Sequence, residues 1–160
     1  MSSVSIRRLA AAESPTVAAL VAATVRPLPY YNERAKSEEL AKYGSVELTA
    51  LCASDADSVL VAWEGQKPIG FCISKYDDGL VWLCWFGVHE EHRGRHIGNA
   101  LLVALQQTLA LRRAHKIWCD TRTDNIRSQK VLTQFGFTRI AELKNHWYGQ
   151  DFYLWECSPR

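Results

Sequence analysis

The sequence predicts an α/β protein with a mixed, mostly antiparallel sheet of about six to seven strands flanked by helices. Stretches with the apolar period of a helix alternate with short strand-like runs, and three of those runs follow one another between tight turns. No repeat or linker interrupts the succession, so the 160 residues read as one domain, 1–160, with a continuous core. Apolar residues make up 48% of the chain and charged residues 22%, which excludes a disordered or fibrous protein.

The first third of the chain predicts one strand followed by helices. Alternating apolar residues indicate a strand over 4–9, and Ser14-Pro15 provides an N-cap followed by proline at the first helical position. Residues 26–32 form a proline-stiffened loop that carries two adjacent aromatics, Tyr30 and Tyr31, and is a candidate lid. Helices are predicted from 15 to about 25, from about 35 to 43 and from 46 to 53.

From Ser58 the apolar period becomes that of strands. Turn signals at Gly65-Gln66 and at 77–79 divide the segment into an antiparallel meander. A helical period returns at Ile97, and a later helix stops at Gly136, a natural C-terminal cap. In chain order, we expect strands over 58–64, 67–76 and 80–88, a helix from 97 to near 115, a strand over 116–121, a helix over 125–135, and strands over 138–145 and 152–157.

Charge and cysteine content limit the compartment and the partners. A formal net charge of +2 is too weak a field to indicate nucleic acid or an anionic membrane. The longest apolar run, Val17–Ala23, is far shorter than the roughly 18 residues of a membrane span. Five widely spaced cysteines, an odd number, favour free thiols in a reducing compartment. We therefore expect a soluble, cytoplasmic protein with no nucleic-acid or membrane partner.

The segment between Val88 and Leu101 carries the strongest functional signal. A predicted strand feeds a loop with glycines at 94 and 98, and this loop opens directly into a helix. Backbone N–H groups at such a helix start point toward one spot and bind anions, phosphate above all. Residues 92–130 also hold eight Lys or Arg against two acids. The segment therefore predicts a site for a polyphosphate ligand, although a tight turn before a basic helix is the alternative.

Two motifs in this half of the chain resemble the GNAT superfamily of N-acetyltransferases. The superfamily signature R/Q-x-x-G-x-G/A, which binds the pyrophosphate of acetyl-CoA through backbone amides, is similar to Arg93–Gly98. His96 stands where the superfamily usually has glycine, a departure that affects the turn rather than the amides. About 30 residues later, Asn125-x-x-Ser128 followed by Phe135–Phe137 resembles the second motif. The resemblance is strong from about Ser58 onward and rests on element order alone before it.

The resemblance implies direct transfer of an acetyl group from acetyl-CoA to a primary amine, without a covalent enzyme intermediate. The thioester would lie in an opening between the fourth and fifth strands, where a backbone N–H near Phe86 to Val88 polarises its carbonyl. A homodimer is common among similar proteins. The residues that the resemblance assigns to acetyl-CoA are Phe86, Val88, Arg93, Gly94, Arg95, His96, Ile97, Gly98, Asn99, Ala100, Asn125 and Ser128.

Asp120 is the candidate general base. In bacterial ribosomal-protein alanine acetyltransferases, the branch nearest in local motif, a Glu in the pattern E-V-R-x-x-N serves as base, and the matching run here is 120–125. An alkylammonium with a pKa near 10.4 must lose its proton before it attacks, so a base helps. The alternative is a structural Asp120 that pairs with Arg122, Arg127 or a backbone amide.

The general acid is missing at its usual position. Many members of the superfamily place a tyrosine where this chain has Leu132. Ser128 and Tyr148 are candidate substitutes, although a thiol with a pKa of about 8.5 is a tolerable leaving group without an acid. For Asn125, helix N-capping is the alternative to a role in orienting a ligand.

The acceptor site is expected between two aromatic segments. Tyr30, Tyr31 and Asn32 lie where the superfamily's variable loop covers the acceptor, and a run containing Tyr148 supplies the opposite wall. These aromatics are equally consistent with a small satellite core. The acceptor itself stays open among polyamine, amino acid, aminoglycoside, protein N-terminus and lysine side chain, although the modest net charge gives no support to a strongly cationic one.

Three other functions compete with acetyl transfer. His89, His92 and His96 at spacings of three and four suggest zinc, but they lack the His-Glu-x-x-His signature and the adjacent arginines repel a cation, so no metal is expected. RNA binding is disfavoured because aromatics are not interleaved with the basic residues. A non-catalytic acyl-CoA-binding sensor or interaction module remains the main alternative, since Leu132 and His96 depart from the superfamily pattern.

Overall fold

The computed structural model describes residues 3–160 and contains one mixed sheet. Across these residues seven strands lie in the order β1-β2-β3-β4-β5-β7-β6. β4 and β5 are parallel neighbours, and the other five pairs are antiparallel. The predicted α/β class and the predicted strand count are confirmed. The strands are β1 (Val4–Arg8), β2 (Val59–Glu64), β3 (Lys67–Asp77), β4 (Leu80–Val88), β5 (Lys116–Arg122), β6 (Thr138–Leu143) and β7 (Phe152–Cys157).

Helices cover both faces of the sheet. The α-helices of the described range are α1 (Ser14–Val25), α2 (Glu33–Ala41), α3 (Ser45–Ser54), α4 (Ile97–Leu111) and α5 (Ile126–Phe135). On one face, α1 and α3 bury Val17, Val21 and Leu48 against Phe71 and Ile73. On the other, α4 and α5 bury Leu101, Leu105 and Leu132 against Ile117 and Trp155. Within residues 3–160, no helix combines the length and the apolar character needed to cross a bilayer.

Helix ends differ from the predictions where a side chain or a left-handed residue sets the boundary. α2 starts two residues earlier than predicted because Asn32 Oδ1 accepts a hydrogen bond from the Ala35 amide at 2.8 Å. α4 ends at Leu111 rather than near residue 115. Arg113 adopts a φ of 54°, and this turn closes the helix without the glycine that would mark the end in the sequence.

Cysteine thiols are packing groups in this fold. All five are free, as their odd number predicted. Burial raises the pKa of Cys72 to about 12 and that of Cys84 to about 11, so neither is a thiolate at neutral pH. Burial also raises the pKa of the Cys52, Cys119 and Cys157 thiols, so none of the five offers a ready thiolate nucleophile.

The sheet splits between β4 and β5. Their pairing ends at Leu83 and Cys119, although β4 continues to Val88 beside β3 and β5 continues beside β7. A bulge accompanies the split, since Ile73 pairs with Trp85 and the next residue of β3 pairs with Leu83, which leaves Cys84 as an extra residue. The two strands diverge beyond this point, so the end of β4 and the end of β5 face each other across an opening.

Gly87 lets helix α1 and the β3 side chains pack directly on the divergent end of β4. A Cβ at this position would lie 2.8 Å from Thr24 Cγ2 and 3.0 Å from Phe71 Cε1, both shorter than ordinary contacts. We expect Gly87→Ala to lower the free energy of unfolding by about 1 to 3 kcal/mol because it overpacks this layer. Urea denaturation measures the change. Gly98→Ala, where the nearest atom is 3.8 Å away, is the control, and an unchanged midpoint for Gly87→Ala would contradict this packing argument.

Candidate active site

The opening between β4 and β5 forms a cleft of about 1800 Å³. Ligand pockets of ordinary size hold about 300 to 1,000 Å³, so this cleft has room for a large ligand and a second one. Asn32, Arg95 and Ala100 lie outside its lining. The other predicted site residues all line it: Tyr30, Tyr31, Phe86, Val88, Arg93, Gly94, His96, Ile97, Gly98, Asn99, Asp120, Asn125, Ser128 and Tyr148.

The turn between β4 and α4 keeps its tight shape despite the histidine. Gly94 has a φ of 78°, and His96 has a φ of 59° and a ψ of 15°, the left-handed conformation that glycine adopts freely. A non-glycine residue in this conformation costs about 1 to 2 kcal/mol. The backbone of His96 is therefore strained at a position where the superfamily usually has glycine. Helix α4 starts at the next residue.

Backbone amides at the start of α4 face the cleft. Ile97, Gly98 and Asn99 are the first three residues of the helix, and within residues 3–160 none of their amides donates to another backbone carbonyl. Ala100 N donates to His96 O at 3.0 Å, so the fourth amide belongs to the helix and is not a free donor. Three free amides at the positive end of a helix suit the charge and the oxygen atoms of a diphosphate.

Basic side chains near this turn differ in what they contact. Arg93 and Arg127 both line the cleft, where they add positive charge to the amides. Arg95 instead donates to Glu64 Oε1 at 2.7 Å and ties the turn to the end of β2. The resemblance placed Arg95 with the cofactor, but in this structure its guanidinium is committed to that carboxylate.

His89, Glu91 and His92 lie together in the loop before Arg93, with one ligand atom of each within 4.8 Å of the others. His96, which completed the zinc hypothesis, does not belong to this group. The Glu91 carboxylate lies 3.7 Å from Lys67 Nζ, an ammonium that competes with any cation there. His89 Nδ1 lies 3.8 Å from Glu91 Oε2, and His92 Nε2 lies 3.4 Å from Glu64 Oε2, so each of these side chains has a partner within the protein.

Asp120 lies at the start of the diverging end of β5. Trp147 Nε1 donates to its Oδ2 at 3.0 Å, and among the described residues no lysine or arginine forms a salt bridge with it. Burial raises the pKa of Asp120 to about 6, and the neighbouring Glu39 carboxylate adds to the rise, while the Trp147 hydrogen bond opposes it. A partly buried carboxylate without a cationic partner at the opening of the sheet is placed to take up a proton.

Arg122, one of the partners considered for a structural Asp120, is engaged elsewhere. Its Nε donates to Tyr30 O at 2.8 Å, and its Nη1 donates to Asp151 O. The guanidinium is buried and lies over the Phe152 ring at 5.5 Å from the centroid. Arg122 thus fastens the loop after α1 and the start of β7 to the end of β5.

The two predicted acceptor segments contact each other. Asn32 Nδ2 donates to Tyr148 O at 3.1 Å, and Gln150 Nε2 donates to Tyr30 O at 3.2 Å. Asn32 therefore links the two segments by a hydrogen bond and does not itself line the cleft. Tyr148 has a φ of 55°, a conformation that is held because both segments are tied down.

Glu39 on α2 lines the cleft beside Tyr148 and Trp85, a position that the sequence did not indicate. Its carboxylate accepts hydrogen bonds from Lys42 Nζ at 2.6 Å, Tyr148 Oη at 2.6 Å and Trp85 Nε1 at 2.8 Å. Although burial opposes ionisation, these donors hold the pKa of Glu39 below its ordinary value. No local pattern marks it, because its partners come from α2, β4 and the β6–β7 connection.

The candidates for a general acid are only partly available. Leu132 is fully buried in the core beneath α5, so it contributes nothing to the cleft surface. The Tyr148 hydroxyl is committed to Glu39. Ser128 lines the cleft and its hydroxyl accepts from Asn125 Nδ2 at 2.9 Å, while Asn125 also caps α5 by accepting from the Ser128 amide at 3.1 Å. Ser128 is the better placed of the two.

A mixed sheet that splits between two parallel strands, with amides of a helix start at one side of the split, is the architecture that the sequence resemblance implied. Residues 21–137 match the family model described as Acetyltransferase (GNAT) family. The chain belongs to this family of acetyltransferases.

Individual proteins are similar to this chain at low sequence identity. The chain is 31% identical over 113 residues to a spermine/spermidine N(1)-acetyltransferase of Bacillus subtilis (strain 168), a match that covers 61% of this chain and 74% of that protein. The fold is similar to the PaiA N-acetyltransferase of Thermoplasma acidophilum in complex with coenzyme A, with a TM-score of 0.83, 18% identity and coverage of 98% and 99%. It is also similar to a ribosomal-protein alanine N-acetyltransferase of Escherichia coli, with a TM-score of 0.72, 15% identity and coverage of 98% and 94%.

Proposed function

We propose that the protein transfers the acetyl group of acetyl-CoA directly to a primary amine of a small molecule or peptide. The observation that carries this proposal is the position of Asp120. Its carboxylate has a raised pKa of about 6 and no cationic partner among the described residues, and it lies across the opening from the end of β4. Family membership supports acetyl transfer in general, and this geometry supports an amine as the acceptor.

The residues of the α4 turn fit the diphosphate of CoA. The amides of Ile97, Gly98 and Asn99 would hold its oxygens, and Arg93 and Arg127 would add charge. Acetyl-CoA supplies the activated acetyl thioester. Between 86 and 88, β4 has β3 on one side and no strand on the other, so alternate backbone N–H groups are free to polarise a carbonyl in the opening.

Asp120 would accept the proton that the acceptor ammonium must lose before its nitrogen attacks. A base with a pKa of about 6 is stronger than an ordinary carboxylate and is still ionised at neutral pH. The new bond joins the amine nitrogen to the acetyl carbon, and the carbon–sulfur bond breaks. The attacking nitrogen then still carries one proton more than the amide needs, and this proton passes to the leaving thiolate through the Ser128 hydroxyl or through water, while Asp120 returns its own proton to solvent.

A non-catalytic acyl-CoA-binding sensor is the second candidate. The observation that favours it is Leu132, which puts a buried aliphatic side chain where many members of the superfamily carry a tyrosine. The environment of Asp120 weighs against the sensor. Burial of the ionised Asp120 carboxylate raises its pKa and lowers the stability of the fold, and a protein that only binds the thioester gains nothing from it.

One assay separates these functions. Acetyl-CoA binding is measured by calorimetry, and thiol release is then followed with a panel of amines while mass spectrometry detects the acetylated product. We expect saturable binding, and thiol release that depends on the amine and rises with pH through about 6, the pKa of Asp120. Binding without turnover on any amine would support the sensor, and absence of binding would contradict both.

A further inference from the structure

Trp147 brings a hydrogen-bond donor to Asp120 from the connection between β6 and β7. Its indole Nε1 donates to Asp120 Oδ2 at 3.0 Å, and both residues line the cleft. Within residues 3–160, the other carboxylate oxygen, Oδ1, accepts no hydrogen bond. One oxygen of the carboxylate is therefore held by the protein, and the other has no partner in it.

The connection that carries Trp147 has a strained backbone that is tied at both ends. Asn145 and Tyr148 have φ values of 46° and 55°, in the left-handed region that residues other than glycine rarely adopt. The Asn145 amide donates to Asp151 Oδ1 at 2.8 Å, and the Tyr148 hydroxyl donates to Glu39 Oε1 at 2.6 Å. Strain of this kind persists where surrounding contacts impose it, and it is typical of functional sites.

Trp147 contributes little to the packing of the core. The residue is 48% exposed and belongs to neither of the two clusters of buried apolar residues on the faces of the sheet. Its ring packs edge-on against the His146 ring, with 4.4 Å between the centroids. A substitution that removes the indole N–H and keeps an aromatic ring should therefore leave the fold intact.

The groups around Asp120 act on its ionisation in opposite directions. Burial and the Glu39 carboxylate raise the pKa of Asp120, whereas the hydrogen bond from Trp147 lowers it. Hydrogen bonds to a charged acceptor are stronger than those between neutral groups. Trp147 therefore favours the ionised carboxylate, which is the form that a base needs.

Other titratable groups lie close to this pair. Those whose pKa burial raises, and which stay protonated at neutral pH, are Cys84, Cys119 and Tyr31. The donors to Glu39 hold its pKa below the ordinary value, so it ionises at lower pH than Asp120. The His146 imidazole packs against Trp147, so its charge must be separated from that of Asp120 by a variant.

From these contacts we infer that Trp147 is the positioning residue of the base: its indole N–H holds Asp120 Oδ2, and Oδ1 is the oxygen that takes the proton of the acceptor ammonium. The inference rests on the proposed acetyl transfer and adds to it a residue that acts through Asp120. The proton moves from the acceptor nitrogen to Oδ1 and later to solvent, while the indole keeps its own proton. A hydrogen bond of this kind fixes a functional side chain in one orientation.

A direct titration of Asp120 tests the contact. Trp147→Phe removes the N–H donor and keeps an aromatic ring. In protein labelled with carbon-13 at the aspartate carboxyl groups, the Asp120 signal is assigned by its absence from Asp120→Asn and followed by NMR against pH. We expect the pKa of Asp120, about 6 in the wild type, to rise by about one pH unit in Trp147→Phe. A pKa within about 0.2 of the wild-type value would overturn the inference.

Steady-state kinetics test the effect on the rate, with the alkylamine that the wild type turns over fastest. At about pH 8.5, where Asp120 is ionised in both proteins, we expect kcat of Trp147→Phe to fall about threefold or more because the base is no longer held in place. The KM for acetyl-CoA should stay within about twofold, since the changed contact is not at the start of α4. A wild-type kcat in the variant would overturn the inference and leave the proposed function standing. No turnover of any amine by the wild type would instead contradict the proposed function.

Two control variants separate this contact from general effects. Trp118 lies on the same strand as Asp120, and its Nε1 donates to Glu156 Oε2 at 2.6 Å, but it lies outside the cleft lining. Trp118→Phe therefore removes an equivalent hydrogen bond elsewhere, and His146→Asn removes the imidazole beside Trp147. Both variants should keep the wild-type kcat and the wild-type pKa of Asp120. An equal rise of that pKa in either control would overturn the role assigned to Trp147.

Discussion

Replacing Gly98 with phenylalanine is expected to weaken acetyl-CoA binding by about 100-fold or more while the protein stays folded. A Cβ on Gly98 would lie 3.8 Å from Phe86 Cε2 and 3.9 Å from Val131 Cγ1, so the first side-chain atom fits without a clash. Because Gly98, Phe86 and Val131 all line the cleft, we expect the rest of a phenyl side chain to occupy space beside the free amides at the start of α4. Loss of several amide hydrogen bonds to a charged diphosphate, each worth about 1.5 to 3 kcal/mol, accounts for the expected loss of affinity.

Isothermal titration with acetyl-CoA measures this effect, and thermal unfolding checks the fold. Gly98→Ala is the graded control, because a methyl group makes ordinary contacts with Phe86 and Val131 and reaches no further. Its affinity should stay within about threefold of wild type. Equal affinities for wild type and Gly98→Phe would show that the start of α4 is not where acetyl-CoA binds.

Local sequence patterns were sufficient to predict most of the secondary structure and the turn that leads from β4 into α4. The apolar periods, the turn residues and the glycines at 94 and 98 each determine the structure of only a few neighbouring residues. Such local signals can be interpreted from a single sequence. The predictions that missed were also local. Arg113 and His96 both adopt left-handed conformations that their residue types rarely take, so the residue type gives no sign of them.

The proposed acceptor site was less predictable because its contacts join residues that are far apart in the chain. Glu39 meets Trp85 and Tyr148, which follow it by 46 and 109 residues, and Asp120 meets Trp147 across 27. No periodicity encodes such pairs, since tertiary packing alone brings these elements together. The sequence therefore placed Tyr30, Tyr31 and Tyr148 at the site through their resemblance to family positions, but it could not distinguish Asn32, which joins the walls, from residues that line them.

Asp120→Asn is expected to lower kcat for an alkylamine by about 100-fold at pH 7, because a general base contributes about 10² to 10⁴ in rate. The rise of the wild-type rate through pH 6 should disappear, and the residual rate should instead climb at higher pH as the amine loses its own proton. An acceptor with an α-amino group, whose pKa is about 8, should suffer a smaller loss than an alkylamine with a pKa near 10.4. An unaltered pH profile would leave Asp120 with a structural role.

The same substitution is expected to stabilise the protein, which a purely structural aspartate would not do. The pKa of Asp120 rises from 3.8 to about 6 in the folded state, so the folded protein holds this proton more tightly than the unfolded chain does. Ionisation therefore costs stability as pH rises from about 4 to 6, and above pH 6 the cost reaches about 3 kcal/mol at most. Asp120→Asn should therefore raise the free energy of unfolding at pH 7 and change it little at pH 4.

Urea denaturation at both pH values measures this difference in the free energy of unfolding. The exposed Asp124→Asn is the control, and its free energy of unfolding should change by less than about 0.5 kcal/mol. A variant that is both slower and more stable at neutral pH would identify the buried charge as one that the fold tolerates for the sake of catalysis, whereas a destabilised variant would mean that the Trp147 hydrogen bond outweighs the cost of burial.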